Sequence, residues 1–96
     1  MRILIKNPSD EGFRQIVVPN DLHVLQQLVD GYIETVTFAS DACVICNEDG
    51  RIKELEHNCY FCGIGFVGTI LIVGIDGDDF CDCPLSVAMA NTEVEA

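Results

Sequence analysis

Apolar residues recur at helical spacing in one stretch of this chain and alternate or run together nearly everywhere else. Between Pro19 and Phe38, the residues Leu22, Leu25, Leu28 and Val29 fall on one side of a helix. Asn20 or Asp21 stands where a side-chain oxygen can accept from the free N–H groups of the first turn. Gly31 stands where a helix ends in a left-handed residue, and Tyr32 to Phe38 then shifts to period two with β-branched and aromatic residues. The unit predicted is a capped helix, a stop and a strand.

The rest of the pattern supplies strands for that helix to cover. Arg2 to Lys6 sets Ile3 and Ile5 on one face, and Asn7 to Gly12 is turn-forming. Phe13 to Val18 precedes Pro19, which disfavours helix in the residue before it, so a second strand is expected. Ala42 to Cys46 is an apolar run of strand length that ends in the polar turn Asn47 to Gly50. Arg51 to His57 reads equally as a short strand or an irregular return, and Asn58 to Gly65 reads as a glycine-punctuated loop. Phe66 to Ile75 is the most hydrophobic segment, as a strand buried on both faces would be, and is placed mid-sheet. Asp76 to Asp79 is a turn, Phe80 to Cys83 an edge segment stopped by Pro84, and Leu85 to Ala96 a frayed tail or a single helical turn. The expected fold is α+β: one domain over residues 1–83, with a mainly antiparallel sheet of five or six strands and one helix packed on one face.

Composition adds an excess to explain. In 96 residues a chain buries only roughly 60–65% of its unfolded surface, yet 49% of this one is hydrophobic. Burial of the surplus between copies is the expectation, in a homo-oligomer of at least two chains. Five basic against sixteen acidic residues give a net charge of −11, and beyond Lys53 no Lys or Arg occurs. Direct binding to nucleic acid is not expected without a basic stripe. Met1 to Lys6 is too short for the apolar core of a secretory signal, and no run approaches the ~20 apolar residues of a membrane span. A cytoplasmic setting is expected, with the six cysteines reduced.

Four short motifs carry a resemblance: Met1 to Pro8, Gly31-Tyr-Ile-Glu34, Cys46-Asn-Glu-Asp-Gly50 and Gly68-Thr-Ile-Leu-Ile72. Over roughly residues 1 to 82 the chain resembles a family of small proteins from bacteriophages, other mobile elements and Firmicutes, a domain of unknown function. The resemblance implies a phage or mobile-element setting, in the cytoplasm of a host bacterium, and brings no established activity. The cysteines depart from its pattern, so it implies no metal site.

Cys43-Val-Ile-Cys46 and Cys59-Tyr-Phe-Cys62 are two C-x₂-C pairs twelve residues apart, a spacing close to that of four-cysteine zinc sites. In an extended strand, however, Cys43 and Cys46 point to opposite faces, and buried reduced cysteines behave as small hydrophobes. The acidic turn Asp76 to Asp79 lacks the ligand spacing of a calcium loop, and His23 and His57 have no nucleophile at recognisable spacing. Strand three is more informative, because the two-residue period puts the carboxylate of Glu34 in a row with Tyr32, Val36 and Phe38. Asn47, Glu48, Asn58 and Thr69 could bring amide, carboxylate and hydroxyl groups to the same rim, a set suited to holding a base or ribose. Against this stands the plainer reading, in which Glu34 faces water and Asn47 only forms a turn.

The function expected is non-catalytic: a phage-type counter-defence protein that sequesters a small nucleotide-like host signal, without a cofactor. Two alternatives stay open. One is an acidic protein-interaction module that blocks a host nucleic-acid or defence enzyme, and the other is a small adaptor stabilised by zinc.

Overall fold

A computed structural model describes residues 1–96. Its main sheet is antiparallel and six-stranded. It contains β1 (Arg2–Lys6), β2 (Arg14–Val17), β3 (Ile33–Ala39), β4 (Ala42–Asn47), β7 (Ile70–Asp76) and β8 (Asp79–Cys81). The spatial order is β2-β1-β7-β4-β3, with β8 paired to β7 off this path. A second sheet, not anticipated by the sequence pattern, joins β5 (His57–Phe61), β6 (Ile64–Val67) and β9 (Val94–Glu95) in the order β6-β5-β9. Helix α1 spans Leu22–Val29 and a short α2 spans Val87–Thr92.

Period-two alternation on the three inner strands builds two cores. Ile3, Ile5, Cys43, Ile45, Leu71 and Val73 point to the side covered by Leu25 and Val29 of α1. Leu4, Val44, Cys46, Ile70 and Ile72 point to the other side, where Phe61 and Phe66 of the small sheet and Ala90 of α2 close over them. Phe61 sits edge-on to both Phe13 and Phe38, with ring centroids 5.5 and 5.0 Å away. A sheet covered on both faces reads as continuous apolar runs, which accounts for all six residues of β4 being buried. The same cover absorbs, within one chain, much of the apolar surplus that composition had assigned to contacts between copies.

The helix begins as expected, with the Asp21 carboxylate accepting from the His23 N–H at 2.8 Å. Its end differs. Asp30, not Gly31, is the left-handed residue, with φ 59° and ψ 45°. Gly31 serves a close approach instead, because a Cβ there would lie 2.6 Å from the Asn47 side-chain nitrogen.

The long run from Phe66 to Ile75 is two strands, not one. Gly68 takes φ +71°, a conformation that favours glycine, and there the chain leaves the small sheet as β6 and enters the centre of the main one as β7. The stretch Asn58 to Gly65 is likewise a hairpin instead of a loop. Its two turn residues, Cys62 and Gly63, both have positive φ, as a tight turn between twisted strands requires. The segment from Leu85 onward is ordered. Ser86 caps α2, the guanidinium of Arg2 donates to the carbonyls of Cys83 and Leu85, the Asn91 side chain accepts from the Phe13 N–H, and β9 pairs with β5.

Candidate functional site

A groove of about 260 Å³ opens where the outer edges of the two sheets lie side by side. Glu34 and Val36 of β3 and Cys46 and Asn47 of β4 form one wall, and residues Ile64 to Val67 of β6 form the other. Glu48, Arg51 and Ile52, from the turns that follow β4, close one end. Strand alternation puts Glu34 here: even-numbered positions of β3 face the core that Val36 and Phe38 enter, and Glu34 lies toward the strand's open end.

Two carboxylates and one guanidinium therefore share a groove with apolar sides. Arg51 donates one N–H to the Gly65 carbonyl at 2.9 Å, which ties the closing turn to β6 and leaves its other donors for a ligand. The Cys46 thiol donates to Glu34 at 3.8 Å. Burial first, then the charge of Glu34 and this hydrogen bond, push that thiol up to about 11, against the opposing effect of Arg51. A thiol so placed is protonated at neutral pH and a weak nucleophile.

The six residues singled out by the sequence divide between two places. Glu34, Asn47 and Glu48 line the groove. Asn47 lines it with its polar atoms already engaged: its Nδ2 donates to the carbonyls of Val29 and Asp30, both at 3.0 Å, and its Oδ1 accepts from the Asp49 N–H at 2.8 Å. It is the lock on the end of α1. Tyr32 is exposed and lies beside the groove, not in it, its carbonyl accepting from the Glu48 N–H at 2.9 Å.

Asn58 and Thr69 belong elsewhere. Asn58 is buried and bridges β1 to the small sheet, donating to the carbonyls of Lys6 and Gly68 and accepting from the buried Lys6 ammonium at 2.9 Å. Thr69 donates to the Asn7 side chain at 2.8 Å. The sequence places Asn58 at the groove on a glycine-punctuated loop and Thr69 there on a continuous central strand; the β5–β6 hairpin replaces that loop, and the break at Gly68 ends that strand. The four cysteines offered for zinc do not converge either. Cys43 points into the core under α1, Cys46 and Cys59 into the opposite core, and Cys62 lies exposed in its turn. No three His, Cys, Asp or Glu side chains lie close enough together to hold a metal ion.

Arg51 and the β6 wall were missed. Their one signal was Arg51-Ile-Lys53, two of the five basic residues set in a single polar turn of an acidic chain.

Fold and groove together define a small α+β protein with an acid-rimmed cleft at the open edge of two packed sheets. The chain belongs to the family described as a domain of unknown function, DUF3846, whose sequence profile matches residues 1–93. The match runs through α2 and reaches the residue before β9. No curated protein and no solved structure matches the chain significantly. No helix is long and apolar enough to cross a membrane.

Proposed function

We propose that the protein binds and sequesters a small nucleotide-like ligand without transforming it, in the setting of a phage or mobile element acting against a host signal. One observation carries this reading: Glu34, Glu48 and Arg51, all exposed to solvent, line a single groove together with Val36, Ile52, Ile64 and Phe66. Carboxylates accept from the N–H and O–H groups of a base or ribose, the free guanidinium donors suit a phosphate, and Val36, Ile52 and Ile64 offer surface against a ring. The groove is small, so one ring and its sugar are the portion it would enclose. The protonated state of Cys46 fits a binding role better than nucleophilic attack.

Isothermal titration with nucleosides, cyclic dinucleotides and ADP-ribose derivatives tests the proposal. At least one should bind, and Glu34→Gln should weaken it by about tenfold or more, the usual scale for losing a charge-assisted hydrogen bond. Flat traces for the whole panel with folded protein would end it.

A second reading has its own observation. Asp41, Asp76, Asp78, Asp79 and Asp82 are all exposed, and the turn that carries Asp41 is joined to the end of β7, where Asp76 lies, by the Ile75 N–H donating to the Asp41 carbonyl. An acidic end of this kind suits the basic site of a nucleic-acid enzyme. Such binding would weaken steeply with salt, whereas a ligand held mainly by hydrogen bonds and apolar contact would respond little.

A further inference from the structure

Strand β3 is the last strand of the main sheet and pairs only with β4. The Glu48 N–H donates to the Tyr32 carbonyl, and the register continues with Glu34 opposite Cys46 and Val36 opposite Val44. In an antiparallel ladder, alternate residues exchange hydrogen bonds with the neighbour, so Tyr32, Glu34 and Val36 turn their backbone groups toward β4. Ile33, Thr35 and Thr37 turn theirs outward, and no backbone or side-chain group of the chain meets them.

An edge of this kind normally carries protection. The opposite edge does: β2 is only four residues long, begins with Arg14 and runs directly into Val18-Pro19. Strand β3 has seven residues, Ile-Glu-Thr-Val-Thr-Phe-Ala, with no proline, no lysine and one charge. Its only irregularity is a bulge between Thr37 and Ala39. Natural proteins blunt exposed edges with short strands, Lys, Pro and bulges, and a long β-branched edge without them is a pairing site.

We infer that β3 pairs antiparallel with β3 of a second copy, about a two-fold axis at Thr35, so that the two main sheets become one and the two grooves meet at the seam. The outward backbone groups require odd-numbered residues to face odd-numbered ones, and an axis at Thr35 is the register that pairs all three of them, with Thr35 facing Thr35 and Ile33 facing Thr37 of the two copies. The side chains then complement themselves. Glu34 stands opposite Val36 and not opposite another carboxylate, which in a chain of net charge −11 is the arrangement a self-pairing edge needs. Since Glu34 and Val36 also form the wall of the groove, each copy adds that wall to its neighbour's cleft. The pairing itself stands on backbone geometry, while the meeting of two ligand grooves rests on the function proposed above.

Sedimentation equilibrium of the full chain over about 1–200 µM tests the seam without any ligand. The unsubstituted protein should have twice the 10.5 kDa of one chain. Proline is tolerated where an edge N–H points outward, so Thr35→Pro should keep the fold and weaken pairing by about tenfold or more. Thr35→Lys, at an exposed position, sets like charges against each other on the axis and should do the same with an unchanged far-ultraviolet circular dichroism spectrum. Because both copies are acidic, pairing should tighten as salt rises. A single-chain mass throughout this range, or a dimer indifferent to both substitutions, would overturn the inference, and Thr35→Lys decides if the proline variant fails to fold. Titration that fails while the dimer stands would reject the ligand reading alone.

Discussion

At the scale of single residues, Asn47 shows how a legible motif can carry an illegible role. Its position after an apolar run marks a polar turn, and a turn does follow. What the spacing cannot give is that its buried amide reaches back to the carbonyls that end α1, a contact between parts of the chain 17 and 18 residues apart. Gly31 was attributed to handedness on the same local grounds, when the constraint is the room that this amide occupies. Asn47→Ala would leave two helix-end carbonyls and the Asp49 N–H without their partner. A loss of about 2–4 kcal/mol in urea unfolding is expected, and a loss below about 1 kcal/mol would show that water replaces the amide freely. Glu34 was legible for a simpler reason: strand period alone assigns its face.

An element is legible where one periodicity holds throughout, and cover on both faces erases that periodicity. The helix, the first four strands and the mid-sheet place of the Ile70 segment follow directly from spacing. The division at Gly68 does not, because residues on both sides of it are apolar for different reasons, Phe66 as part of the small sheet and Ile70 as part of the large one. Few apolar residues and a short helical pattern make the tail read, from sequence, as frayed or as a single helical turn. Those few are well placed: Ala90 is fully buried, and Leu85, Val87 and Val94 pack on the core beneath the small sheet. Ending the chain after Pro84 should therefore cost about 3–6 kcal/mol, from apolar area re-exposed, out of the 5–15 kcal/mol typical of a domain. An unchanged urea midpoint would mean that the tail only rests on the molecule.

For the whole molecule, the same two-sided cover changes the meaning of the composition. The apolar excess is spent largely inside one chain, on two cores back to back, so it no longer argues by itself for assembly. Unmet backbone groups remain at the outer edges of the sheets, where β3 ends the large sheet and, with β6, walls the groove. The proposed ligand site and the proposed pairing edge thus fall on one strand.

The central claim is that this groove holds a nucleotide-like molecule, and amide chemical-shift mapping on isotope-labelled protein tests it most directly. Addition of a ligand from the nucleoside and cyclic-dinucleotide panel should move the signals of Glu34, Val36, Cys46 to Ile52 and Ile64 to Val67, and Glu34→Gln should reduce those shifts at equal concentration. Shifts confined to the acidic turns around Asp41 and Asp76, or none at millimolar ligand, would contradict the account.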